Sequence, residues 1–158
     1  MTPEPWLRGP LENVNPLVAP VLRALEQARE DLETHCARVT DEDVLATPLG
    51  FHLRHIAGSL DRLTTYLKGG ELTEAQFAFL HSEKDAGGTR QELLARIAAA
   101  MEHASQAVQA LDPELLTSPR TVGRKHLPTT VIGIAIHLAE HTQRHVGQAI
   151  TICNFITR

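Results

Sequence analysis

Two histidines, His141 and His145, stand four residues apart in the run Glu140-His141-Thr142-Gln143-Arg144-His145-Val146-Gly147-Gln148. On a helix, side chains at i and i+4 lie one above the other, with Cβ atoms about 5–6 Å apart. That spacing lets two imidazoles converge on one metal ion. Ile134, Leu138 and Ile152 share a 4-3-4-3-4 spacing that His141, His145 and Gln148 complete, so the pattern turns both imidazoles toward the interior. Burial disfavours a charged imidazole, and a neutral one still has polar atoms to satisfy. Metal ligation meets both demands, and a hydrogen-bonded polar core is the alternative.

A third ligand has to come from another helix. His137 lies one turn earlier, but ligands at i, i+4 and i+8 of one straight helix would set the outer two roughly 12 Å apart at about 1.5 Å rise per residue. The segment Phe51-His52-Leu53-Arg54-His55-Ile56-Ala57-Gly58-Ser59 offers two more imidazoles. Periodicity sets His52 nearer the stripe of Ile56, Leu60 and Leu63, with His55 toward its edge. It does not say which side of that stripe faces the last helix.

The polar neighbours read as follows. Glu140 precedes His141, whereas a zinc-protease signature needs Glu directly after the first His, where Thr142 stands. Glu140 is therefore expected to be a solvated or interhelical charge. Asp61 and Arg62 read as a surface pair. Gln148 reads either as a group orienting a ligand or as an interhelical hydrogen bond. Arg120, Arg124, Lys125 and His126 form a basic loop; if it rims the metal, it favours an anionic small-molecule substrate such as a carboxylate, and otherwise it is a solvated loop.

Long helices must position these groups. Leu17, Val21, Leu25, Ala28 and Leu32 make a helical stripe, predicting a first helix over about Pro16–Arg38, with Pro20 as either a kink or its true start. Thr40-Asp41-Glu42-Asp43 reads as a turn with capping residues. A second helix opens at Thr47-Pro48 or Gly50 and ends near Gly69-Gly70. Thr73 to Leu80 reads as a short helix or an irregular segment. Thr89 with Glu92 forms a capping box for a third helix that runs to Leu111 and stops at Asp112-Pro113. Pro113, Pro119, Gly123 and Pro128 predict an irregular stretch over 112–128, and a fourth helix covers about Thr129–Phe155. Strand signals are nearly absent. Residues 1–14 read as an extended, Pro-rich arm that packs Trp6 on the body.

With 158 residues, the chain is expected to form one domain, 1–158. Its formal charge is −4 and it has no Lys/Arg-rich run, which argues against a nucleic-acid partner. The longest apolar run, Val131 to Ile136, is far too short to span a bilayer, and no signal peptide is evident. A soluble, cytoplasmic protein without a membrane partner is expected. Cys36 and Cys153 read as buried small hydrophobes, although Cys153, two turns past His145, is also a candidate reactive thiol.

The segments His55-Ile56-Ala57-Gly58-Ser59 and His141-Thr142-Gln143-Arg144-His145-Val146-Gly147-Gln148 resemble the DinB/YfiT-like family of four-helix-bundle proteins regarded as metalloenzymes. That family has one His in the second helix, followed by a small-residue turn, and a His-x-x-x-His-x-Gly-Gln motif in the fourth. The resemblance implies an all-α, up-and-down-type four-helix bundle and the ligand set His55, His141 and His145, with His52 outside it. It implies a divalent transition metal, zinc or nickel first and iron or manganese as further options. It also implies thiol-linked transferase or hydrolase chemistry, with a low-molecular-weight thiol as cosubstrate in the former case, and a homodimer. The other readings are a non-catalytic metal-binding or stress-associated protein and a helical dimerisation module.

Overall fold

The computed structural model describes residues 3–85 and 87–158. In chain order they form α1 (Ala19–His35), α2 (Asp41–Ala46), α3 (Leu49–Leu67), α4 (Glu74–Ser82), α5 (Arg90–Gln109), a hairpin of β1 (Pro119–Val122) and β2 (Leu127–Thr130), and α6 (Val131–Ile156). The fold is all-α apart from this small hairpin. No helix among the described residues is long and apolar enough to cross a membrane.

The four long helices close a ring. α3 packs against α5 and α6, and α1 packs against α6 and α5. The core is filled by Leu25, Ala28 and Leu32 of α1, Leu53, Ile56 and Leu60 of α3, Ile97, Met101 and Val108 of α5, and Leu138, Val146 and Ala149 of α6. Each fully buried Leu or Ile contributes about 1.5–3 kcal/mol relative to exposure. Paired residues fix the helix directions. His52 meets His145 and His55 meets His141, so α3 and α6 are antiparallel. Gln143 bonds the Ala24 carbonyl, and Cys36 Sγ lies 3.4 Å from Cys153 Sγ, so α1 and α6 run parallel. Arg90 reaches the carbonyls of Cys36 and Ala37 at the far end of α1, which makes α5 antiparallel to α1 and parallel to α3.

Strict up-and-down alternation therefore fails at one place. Between α3 and α5 the chain must return to the end where α3 began, and the crossover carrying α4 does this. α4 lies back along α3, tied by Gln76 Nε2 to Asp61 Oδ2 and Thr65 Oγ1, both at 2.8 Å. Its N-terminus is closed by a Thr73–Gln76 capping box, and that of α5 by the expected Thr89–Glu92 box. Each box satisfies amide donors that the first turn leaves free.

Several local expectations are corrected. α1 begins at Ala19, with Pro20 in the first turn, so Pro20 marks a start and not a kink. Thr40-Asp41-Glu42-Asp43 opens a short helix, because Thr40 and Asp43 form a capping box. The stretch expected to be irregular holds the β hairpin, whose register pairs Pro119 with Thr130 and Val122 with Leu127. Its prolines are tolerated because a two-stranded ribbon has only edge strands. Trp6 is not the anchor of the N-terminal arm: it is 68% exposed. Arg8 holds the arm instead, with Glu30 at 2.6 and 2.7 Å and Glu26 at 2.8 Å. Glu26 and Glu30 stand four apart on α1, so a single guanidinium fork reaches both.

Candidate metal centre

α3 and α6 bring His55, His141 and His145 together. One ring nitrogen from each lies within 4.8 Å of the other two, and all three residues are half-buried. The Nε2 atoms of His55 and His141 are 3.0 Å apart. Two imidazole nitrogens on one tetrahedral ion would stand roughly 3.4 Å apart, given metal–nitrogen bonds of about 2.0–2.1 Å. The cluster thus has the dimensions of a three-nitrogen site, and these three residues could hold a metal.

The buried row of α6 passes through Leu138, Thr142, Val146, Ala149 and Cys153. It is turned by about one residue from the seam expected to contain His141 and His145. The two histidines flank the core and face the groove toward α3. Gln148, expected on that seam, is exposed. On α3, Leu53, Ile56 and Leu60 face the core, and His52 and His55 are half-buried beside them. His52 is not remote from the cluster: its Nδ1 lies 3.0 Å from His145 Nδ1. Phe51 stacks on His55, with centroids 5.4 Å apart and planes 19° apart, covering one ring face with an apolar surface.

The sequence reading missed Glu83. This residue follows α4 and is only 2% exposed. Its Oε2 is 2.6 Å from His55 Nδ1, and its Oε1 accepts from Arg62 Nη1 at 2.6 Å. A carboxylate only accepts hydrogen bonds, so His55 donates from Nδ1, and its Nε2 lone pair is directed at His141. Metal-ligating histidines characteristically donate their second N–H to such a carboxylate, which fixes tautomer and ring orientation. Arg62, expected at the surface with Asp61, is instead 8% exposed and neutralises the buried carboxylate. Arg54 Nε donates to the Glu83 carbonyl at 2.9 Å. Gly58 makes room for the pair, since a Cβ there would sit 2.7 Å from both Arg62 Nη1 and the Phe79 ring and would collide with Glu83. One sequence signal was available: a glycine one turn after His55 marks a close approach.

The electrostatics disfavour the charged form of His141 and His145. Burial is the largest cause pushing His145 down to about 4, followed by the like charge of His55, His141, His52 and Arg144. His141 is lowered by burial first and then by His55. Metal ligation requires the unprotonated ring, so His141 and His145 are suited to a divalent ion at neutral pH.

Other candidates lie elsewhere. His137 is half-exposed and pairs with Glu140, which also pairs with Arg144. Glu140 is thus a solvated charge, and His137 is not one of the three clustered rings. Cys153 is fully buried against Cys36, facing α1 and not the histidine groove. Arg120, Arg124 and His126 gather around Gly69 at the far end of α3, roughly 20 Å from His55 at about 1.5 Å per residue. The basic loop does not rim the cluster.

Two outcomes follow. Glu83→Ala, which strands Arg62 in a buried position, should destabilise the protein by about 3–5 kcal/mol in urea denaturation, while the paired replacement Glu83→Leu/Arg62→Met should recover most of that loss. Protonation gives the second. An unfolded chain protonates His145 near its ordinary 6.5, and the folded chain only near about 4. The unfolded state binds more protons in that window, so metal-free protein should lose stability as pH falls from 6.5 toward 4. His145→Gln should show a flatter stability profile over the same window, and equal slopes would contradict the assignment.

No curated protein matches the chain. The family model of the DinB superfamily matches residues 24–149, a span from α1 into α6 that contains all three clustered histidines and Glu83. On that match, over most of its length, the chain belongs to the DinB superfamily.

Proposed function

We propose that the protein is a metal-dependent enzyme that holds one divalent transition-metal ion, zinc or nickel in the first instance, on His55, His141 and His145. The observation that carries this reading is the convergence of three half-buried ring nitrogens within 4.8 Å, one of them oriented by a buried carboxylate at 2.6 Å. Structural zinc sites are usually closed by four protein ligands, whereas catalytic ones use three and leave a position for water or substrate. A bound ion supplies Lewis-acid polarisation and lowers the pKa of a coordinated water or thiol.

The chain's own residues supply the rest. Glu83 keeps the His55 proton on Nδ1, Phe51 shields one face of that ring, and Arg62 holds the carboxylate in place. Two reaction classes fit this arrangement: transfer from a low-molecular-weight thiol, and hydrolysis. The alternative is non-catalytic metal binding, favoured by one observation: His52 lies 3.0 Å from His145 and is near enough to close the site as a fourth ligand.

Elemental mass spectrometry of protein purified without a histidine tag should find about one transition-metal ion per chain, lost in His141→Ala/His145→Ala. No metal in either protein after incubation with zinc, nickel, manganese and iron(II), with the fold intact, would overturn the reading. Glu83→Gln, which keeps the shape but removes the charge, should weaken metal affinity about 10–100-fold in a chelator competition. His52→Ala separates enzyme from closed site: unchanged metal affinity supports an open position, and a large loss supports the non-catalytic alternative.

A further inference from the structure

A cavity of about 520 Å³ lies at the far end of α3, bounded by Tyr66 and Gly69, by Phe77 of α4, and by Arg120, Arg124 and His126 of the hairpin. That volume is within the range of about 300–1,000 Å³ typical of small-molecule sites. The cavity is remote from the histidine cluster, and nothing in the metal reading uses it.

The two arginines are held in position without being neutralised. The Arg120 guanidinium lies flat against the end of α3: a Cβ at Gly69, where φ is +79°, would stand 3.5 Å from Arg120 Nε and 3.8 Å from Cζ. Its Nη1 donates to the adjacent Pro119 carbonyl at 3.0 Å, while its Nε is buried without a partner. Arg120 is not serving as a cap for α3. Lys68, Gly69 and Gly70 donate their own amides to Thr64, Tyr66 and Thr65 at 2.9–3.1 Å and close the helix end. Arg124 lies over the Phe77 ring, with Cζ 4.7 Å from the centroid, so a cation–π contact fixes its direction and leaves its fork of donors free. Among the described residues, neither arginine makes an ion pair with a carboxylate, although Glu71 lines the same cavity. His126 adopts φ +47°, a left-handed conformation uncommon for a side-chain-bearing residue. The hairpin keeps a ring with hydrogen-bonding nitrogens at the rim of the cavity where glycine would turn the chain with less strain.

We infer that this cavity binds a small organic oxyanion, with a carboxylate or phosphate group gripped by Arg120 and Arg124 and an apolar body laid against Tyr66 and Phe77. Guanidinium donors with no counter-charge on Arg120 and Arg124 are satisfied by one oxyanion, which two arginines bind through charge-assisted hydrogen bonds. The aromatic walls supply the apolar contact that inorganic ions lack. The site is independent of the metal, so the two readings fail separately.

Calorimetric titration of the full chain with benzoate, phenyl phosphate and inorganic phosphate tests the inference. Benzoate or phenyl phosphate should bind at one site per chain, and whichever binds more tightly identifies the preferred head group. Inorganic phosphate should bind more weakly than phenyl phosphate, and equal affinity would overturn the role of the aromatic walls. Arg120→Gln/Arg124→Gln should weaken binding at least tenfold, whereas His141→Ala/His145→Ala should leave it unchanged. Arg124→Gln alone replaces an exposed side chain and provides the same comparison if the double variant folds poorly. No saturable binding of any probe at about 10 mM, or equal affinity in wild type and the arginine variants, would overturn the inference.

Discussion

Glu83 places a carboxylate where almost no water reaches it, and much of the architecture around the histidines answers that one burial. An isolated buried carboxylate carries a penalty of several kcal/mol, offset only where the geometry and the remaining hydrogen bonds are good. Here Arg62 takes one oxygen and His55 the other. Gly58 clears the space, and Arg54 holds the backbone that delivers the side chain. Four residues of one helix, α3, thus accommodate one residue from outside the bundle ring, two of them binding its carboxylate. The result is a directional chain running from a fixed positive charge, through a carboxylate, to an imidazole whose bare nitrogen points at α6.

The same contact explains why the crossover sits where it does. α4 buries no side chain completely, so it is a poor contributor to the hydrophobic core. Polar ties hold it to α3: Gln76 at one end and Glu83 just beyond the other. A connection with so little apolar burial would otherwise belong to the less stable regions that open locally. It returns the chain to the start of α5, making α3 and α5 parallel, and its cost in chain length is recovered as the group that orients His55.

The periodic and capped parts of this structure were legible in the sequence. The apolar stripes of α1, α3 and α5 and the Thr89–Glu92 box all act through neighbours three or four residues away. The convergence of His55 with His141 and His145 was legible only through the resemblance of their motifs, because a helical wheel preferred His52. The reason is geometric: the helices meet along the edges of their buried stripes, and the imidazoles occupy those edges. Glu83 was not legible. It lies in the charged run Ser82-Glu83-Lys84-Asp85, which looks solvated, and its burial depends on Gly58 and Arg62, more than twenty residues away in the chain. The hairpin was hidden by prolines inside both strands, and Arg8 displaced Trp6 as the anchor of the arm because two glutamates one helical turn apart offer a fork that an indole cannot use.

The origin of Glu83 outside the bundle ring couples two events that distance in sequence would keep separate. Fraying of the segment after α4 withdraws the carboxylate, frees Arg62, and lets the His55 ring rotate or change tautomer. Any ligand that needs the bare His55 nitrogen therefore favours the docked crossover, and a docked crossover favours that ligand by the same factor, as thermodynamic linkage requires. Occupancy of the histidine groove and order in a loosely packed connection become one equilibrium seen from its two ends.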